Sequence, residues 1–141
     1  MSGAWRGRLA AGALVASVLA AGPATAAGAV GESVTVNPSS GLPDTAAVNV
    51  SGSGFTPSVT AAIYECADVG GQMTCSQDPV GQLTTNASGS FSNVTVEVKA
   101  VFSGDRGASA ECRTSCRVLV EDRVGRAGEA SISFSRFQSS K

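Results

Sequence analysis

The stretch Thr60–Cys75 reads TAAIYECADVGGQMTC, and it decides the fold class. An apolar run with strand propensity enters Cys66, Gly70–Gly71 follows as a turn, and a second cysteine closes the stretch. Two strands joined by a turn, with one cysteine on each arm, are typical of a β-hairpin stapled by a disulfide. Because side chains alternate along a strand, one face of this hairpin should carry the candidate ligand-contacting residues. They are Tyr64, Cys66 and Asp68.

Short alternating runs recur throughout the chain between clusters of Gly, Ser, Pro and Asn. They predict strands over residues 32–37, 46–51, 59–66, 72–75, 82–85, 90–102, 117–122 and 130–137. The apolar positions shift from odd to even numbers within 90–102, which indicates a β-bulge. Helical periodicity does not extend beyond about two turns after the N-terminal segment. Seven or so short strands with frequent turns predict an all-β protein, a two-sheet antiparallel sandwich.

The N-terminal segment, residues 1–26, has the pattern of a secretory signal peptide. Arg6 and Arg8 precede an apolar run over Leu9–Ala21, and Ala24–Ala26 offers a small-x-small cleavage site. The run of 13 residues is shorter than the roughly 20 that a membrane-spanning helix needs. We therefore expect a secreted, extracellular domain over residues 27–141 and no membrane association.

Four cysteines in a secreted chain predict disulfides rather than free thiols or zinc. The chain contains no histidine, and Cys66/Cys75 and Cys112/Cys116 lack the close spacing of zinc ligands. Four cysteines allow three pairings. Local pairing within each of these two pairs is favoured, because each closes a short loop that contains turn residues.

The charge pattern argues against nucleic acid as a direct partner. Residues 27–141 carry 8 basic and 11 acidic residues, a net charge of −3. The arginines in the second half of the chain are interleaved with acidic residues instead of forming a basic patch.

Catalysis finds little support in the residue types. A nucleophilic serine lacks a histidine base, and the chain has no recognisable metal or phosphate-loop motif. Two carboxylate pairs exist, Glu65 with Asp68 and Glu121 with Asp122. In an exposed sandwich such pairs are usually solvated surface, so we expect no enzyme.

The order of several motifs resembles one family. They are the run Val34–Leu42, the valine strand that leads to Gly54, the pair Cys66/Cys75, the turn Asn86–Gly89, the pair Cys112/Cys116, Asp122 with Gly125, and Ile132–Phe134. Together they resemble the neocarzinostatin family over essentially the whole of residues 27–141.

The resemblance implies a seven-stranded immunoglobulin-like sandwich with a ligand cleft beside the first disulfide. Family members carry a non-covalent enediyne chromophore, which they protect and release, and the released chromophore damages DNA. The implied partner is thus a small-molecule antibiotic, and DNA is reached only through it. No other cofactor is required, and we expect a monomer.

The resemblance also implies the cleft residues: Tyr64, Asp68, Met73, Val80, Arg117, Glu121 and Gly125. Tyr64 stands where the family pattern has a glycine, and Asp68 where it has a tryptophan. The cleft would therefore hold two carboxylates, a guanidinium and a phenol, and we expect it to favour a polar or cationic guest. The alternative is an immunoglobulin-like secreted binding module with an altered, more polar cleft and no chromophore.

Overall fold

The computed structural model describes residues 31–113 and 115–138, and the predicted signal peptide lies outside this part. The described part contains ten strands and one short 3-10 turn. The strands are β1 (Ser33–Asn37), β2 (Thr45–Ser53), β3 (Thr60–Val69), β4 (Gln72–Cys75), β5 (Gly81–Thr84), β6 (Phe91–Lys99), β7 (Val101–Ser103), β8 (Ser109–Glu111), β9 (Cys116–Asp122) and β10 (Ala127–Ile132), and the 3-10 turn is Ser135–Phe137.

The strands form two main antiparallel sheets and a small ribbon. The five-stranded sheet runs β10-β9-β3-β4, and β5 pairs with the first half of β3 where β4 does not reach. The three-stranded sheet runs β1-β2-β6, and β7 pairs with β8. This confirms the predicted all-β antiparallel sandwich. The described part thus has ten strands where seven or so were predicted, and β4, β5, β7 and β8 are only three or four residues long.

The core lies between the inward faces of the two main sheets. Alternate residues of β2 and β6, such as Val48 and Val98, meet alternate residues of β3 and β9, such as Ile63 and Val118. Aromatic side chains contribute to the core as well. Phe55, Phe91, Phe102 and Phe134 are buried there.

The strand predictions hold apart from three places. The predicted strand 90–102 is interrupted at Ala100, so that β6 lies in the three-stranded sheet and β7 in the ribbon with β8. The last predicted strand, 130–137, ends at Ile132, and the chain then turns through Ser135–Phe137. Strand β8 was not predicted, because three residues are too few to show a period. The predicted bulge is confirmed. Val50 of β2 pairs with Val94 and Gly52 pairs with Phe91, so β6 has one more residue than β2 between these two pairs.

Both disulfides are local, as predicted from the short loop that each pair of cysteines closes. Cys66 on β3 lies directly opposite Cys75 on β4 and is bonded to it, and Cys112 is bonded to Cys116. Within the described residues, no helix has the length and hydropathy to cross a membrane.

Candidate functional site

The candidate cleft is the outward face of the five-stranded sheet. The register of β3 and β9 places Tyr64 beside Leu119 and Cys66 beside Arg117. These residues alternate with core residues such as Ile63 and Val118, so their side chains share the face that turns away from the core. Tyr64, Cys66 and Asp68 therefore lie on one face of the sheet, as their alternation in the sequence predicts.

Tyr64 and Glu121 lie between two concave regions of this face. A groove of about 360 Å³ is lined by both residues together with Gln82 and Arg123. A second groove, of about 280 Å³, is lined by the same two residues together with Leu119, Cys75 and other residues. Both volumes lie near the lower end of the range for small-molecule sites, about 300–1,000 Å³. The phenol thus occupies the middle of the surface on which a guest would lie.

Arg117 is held in an ion-pair network on the same face. Its Nη2 lies 3.1 Å from Oδ2 of Asp68 and 2.7 Å from the Ser115 hydroxyl, and its Nη1 lies 3.6 Å from Oε2 of Glu129 on β10. Glu121, by contrast, has no salt-bridge partner within residues 31–113 and 115–138. Glu121 thus forms no ion pair there, although Arg123 lines the same groove.

The remaining predicted cleft residues lie at varying distances from this centre. Met73 is exposed and pairs with Asp68 across β3 and β4. Val80 packs against the core and lines a different cavity, and Gly125 lies in the exposed turn between β9 and β10. The structure thus brings together Tyr64 with Glu121 and Asp68 with Arg117. A ligand role for each of these residues stays a prediction.

Asp122 ends β9 and orders the turn that follows. One carboxylate oxygen accepts the N–H groups of Val124, Gly125 and Arg126, and the other accepts the N–H of Thr56. Burial by itself would raise the pKa of Asp122, but these backbone donors outweigh it and lower the pKa to about 2. The interpretation of Asp122 as solvated surface is wrong, because the residue is buried and fully hydrogen-bonded.

Glu65 is the residue that sequence reasoning missed. It is only 1% exposed, so its interpretation as a solvated partner of Asp68 is also wrong. Ala61, Ile63 and Ala67 are buried on the inward face of β3, and a period of two places Glu65 among them. That alternation was the signal in the sequence that could have found it.

The carboxyl group of Glu65 lies against the second disulfide. Oε1 accepts the backbone N–H of Lys99 at 2.8 Å, and Oε2 lies 3.3 Å from Sγ of Cys112. Removal from water raises the pKa of Glu65 to about 7, although the Lys99 N–H and ammonium oppose the shift. The two sulfurs and the carboxylate are close enough to ligate a metal ion. However, sulfurs bonded to each other offer no thiolate, so we assign no metal site here.

Several known proteins are similar to this chain in sequence. Actinoxanthin and the antitumor antibiotic C-1027 apoprotein, both from Streptomyces globisporus, are each 40% identical over 78 residues, 55% of this chain. That match spans about half the length of these two relatives (54%). Apokedarcidin from Actinomycete sp. is 32% identical over 111 residues, covering 72% of this chain and 96% of the relative.

Solved structures of similar proteins have the same fold as this chain. Macromomycin superposes with a TM-score of 0.64 at 26% identity, over 73% of this chain and 98% of that one. Apokedarcidin in solution superposes with a TM-score of 0.53 at 32% identity, over 73% and 97% of the two chains. A family model described as the neocarzinostatin family matches residues 34–134. The chain therefore belongs to the neocarzinostatin family.

Proposed function

We propose that this protein is a secreted carrier that binds and protects a small-molecule, enediyne-like antibiotic chromophore. The observation that carries the proposal is the family match across residues 34–134, which includes both disulfides and the whole outward face around Tyr64. One relative is named as the apoprotein of an antitumor antibiotic, which supports a role in holding a separate small molecule.

The chemistry of the face supports a guest that is more polar than a purely aromatic one. Tyr64 offers one aromatic surface, and Leu119 beside it adds apolar area. Asp68 is already paired with Arg117, whereas Glu121 forms no ion pair with any described residue and can accept a charged hydrogen bond from a guest. Covering an unpaired carboxylate with an apolar guest would cost free energy, whereas an ammonium group would compensate it. We therefore propose a guest with a cationic or strongly polar substituent near Glu121.

The proposed carrier does not transform its guest. The chain has no histidine to act as a base, and two of its relatives are named as apoproteins. Any DNA damage would be the work of the released chromophore, so the protein itself needs no DNA-binding surface. We propose that it acts outside the cell, as a monomer.

Mass spectrometry of the intact protein under non-denaturing conditions tests the carrier role directly. Protein purified in dim light from the organism that produces it should carry a non-covalent small molecule, which organic solvent releases. Protein expressed in an unrelated host, the matched control, should lack that mass. If the protein from the producer is also ligand-free, the alternative of a binding module without a chromophore takes its place.

A double substitution tests the position of the cleft. Tyr64→Gly removes the phenol between the two grooves, and Asp68→Trp adds an aromatic surface worth roughly 0.5–1.5 kcal/mol for each ring contact. Fluorescence quenching should then show tighter binding of a naphthoate ester than the unmodified protein gives. Tyr64→Phe, which keeps the ring, should not improve binding. Equal affinity in the double variant and the unmodified protein would mean that the cleft lies elsewhere.

A further inference from the structure

The buried carboxyl group of Glu65 joins parts of the molecule that are far apart in sequence. Through Oε1 it binds the N–H of Lys99, the last residue of β6 in the three-stranded sheet. Through Oε2 it contacts the disulfide, 3.3 Å from Cys112 Sγ and 3.8 Å from Cys116 Sγ. One side chain on β3 therefore connects both main sheets and the loop that precedes β9.

The contact with the disulfide fits the protonated acid better than the carboxylate. Sulfurs in a disulfide carry no hydrogen, so neither Cys112 nor Cys116 can donate to Oε2. If Glu65 is neutral, its own O–H can be donated to Sγ of Cys112. If Glu65 is ionised, Oε2 becomes a buried anion that faces sulfur lone pairs and has no donor among the described residues, which is costly.

Both main-chain groups of Glu65 are bonded to Ser76, at one edge of β3. The Ser76 N–H donates to the Glu65 carbonyl at 2.7 Å, and the Glu65 N–H donates to the Ser76 hydroxyl at 3.3 Å. The neighbours of Glu65 in β3 are Tyr64 and Cys66, whose side chains lie on the opposite, cleft face. Any movement of Glu65 that disturbs β3 is therefore transmitted to Tyr64 through a single peptide bond.

We propose that Glu65 is a positioning residue, that its proton holds β3 in the form that binds a guest, and that the affinity of the cleft falls when this proton is lost. This inference rests on the proposed carrier function. The geometry gives the direction, because the neutral acid satisfies both of its oxygens and the anion satisfies only one. The raised pKa of Glu65 agrees with it and places the change near neutral pH.

Several charged groups surround Glu65, and they act in opposite directions. A cavity of about 580 Å³ is lined by Glu65, by Glu97 and Lys99 of β6, and by Asp78 in the β4–β5 connection. The Lys99 ammonium favours the ionised form of Glu65, whereas the two carboxylates disfavour it. Strand β9 and the second disulfide contribute the uncharged Val118, Cys112 and Cys116 to its surroundings. The charged side chains beside this disulfide, those of Glu111 of β8 and of Arg113, are exposed and pair with each other. The same cavity gives water a route to Glu65 once it ionises.

The test uses naphthylmethanol, a neutral fluorophore, so that the probe itself does not titrate. For the unmodified protein we expect its affinity to be about 5- to 10-fold lower at about pH 8.5 than at about pH 5.5, a coupling of ordinary size. Glu65→Gln keeps the shape of the side chain and can donate its N–H₂ to sulfur without titrating. It should bind the probe equally well at both pH values. Glu97→Gln removes a carboxylate from the same cavity and should keep a pH dependence of the same size, with its midpoint at slightly lower pH.

A second readout separates this inference from the carrier proposal. The ¹⁵N–¹H resonance of Lys99, whose N–H is bound to Glu65, should titrate near pH 7 in the unmodified protein and not in Glu65→Gln. If the probe fails to bind at every pH, the carrier proposal fails for this class of guest, while a titrating Lys99 resonance still supports the proton on Glu65. A pH-independent affinity of the unmodified protein, or a pH dependence that survives in Glu65→Gln, overturns the inference.

Discussion

Arg117 Nη2 lies 3.1 Å from Oδ2 of Asp68, so the only cation on the central strands of the candidate cleft face is already paired. The same guanidinium also approaches Glu129. Its side chain is 18% exposed and that of Asp68 is 39% exposed, so the pair is partly screened by water. It therefore contributes little to stability, but it determines how negative the face is towards a guest.

The first prediction is that Arg117→Gln makes the face more attractive to cations. Asp68 and Glu129 lose their partner, while the free energy of unfolding should fall by only about 0.5 kcal/mol. Calorimetry should show naphthylmethylamine binding several-fold more tightly to the variant, whereas the neutral naphthylmethanol is unaffected. Arg136→Gln breaks the exposed ion pair with Asp44, lines neither groove, and is the matched control that should leave the binding of both probes unchanged. An equal gain for both probes would show that the effect is steric.

The second prediction concerns the pH dependence of stability through Glu65. Because its pKa is about 7 in the folded protein and 4.5 in the unfolded chain, the folded state binds the proton more tightly. This contribution is fully present below about pH 4.5 and is lost as the pH rises through about 7. It amounts to about 3 kcal/mol.

Urea denaturation at several pH values measures this contribution. Glu65→Gln should remove this part of the pH dependence and should be more stable than the unmodified protein at about pH 8.5. Asp78 lines the same cavity, so Asp78→Asn is the matched control, in which the pH dependence of stability should remain. If Glu65→Gln is less stable than the unmodified protein at every pH, the buried group is not held as a neutral acid.

The sheets could be predicted from sequence because their signals are local. Alternation at Val34 and Val36 or at Val48 and Val50 needs only the period of two, and Cys66 and Cys75 flank a glycine turn. Strand β8 pairs only with the equally short β7. Its formation depends on this contact, which the alternation of apolar residues in the sequence cannot reveal.

The site was harder to predict, because burial depends on which sheet covers a face. Glu65 and Asp68 are three residues apart, yet one contacts the disulfide inside and the other an arginine outside. Because both are acidic, residue type predicted an exposed position for each of them. Only the alternation of β3, in which Glu65 follows Ile63 on the inward face, distinguishes the buried residue from the exposed one. The pairing of Asp68 with Arg117 needed the register of β3 and β9, which the sequence does not give.

The third prediction is that Gly89→Ala is severely destabilising. Gly89 has φ +79°, and a Cβ there would overlap the carbonyl oxygen of Phe55. The Phe55 N–H also donates to the Gly89 carbonyl, so the two segments cannot easily separate. We expect a loss of more than about 3 kcal/mol, measured by urea denaturation. Gly107→Ala has a similar φ of +83° but open space around it, so it should cost only about 1–2 kcal/mol. Equal losses in the two variants would mean that φ alone sets the cost.

The last prediction concerns Asp122, whose carboxylate accepts four backbone N–H groups and joins the Thr56 segment to the β9–β10 turn. Asp122→Ala leaves these donors without their acceptor and should cost about 3 kcal/mol, whereas Asp122→Asn keeps an acceptor oxygen and should cost less. The pKa of Asp122 is lowered from 3.8 to about 2, so its contribution is present above about pH 3.8 and is lost as the pH falls through about 2. Denaturation curves at about pH 7 and about pH 2 should therefore show the unmodified protein and Asp122→Asn converging in acid. A difference that stays constant down to about pH 2 would show that the charge on Asp122 contributes nothing and that hydrogen-bond geometry alone explains its role.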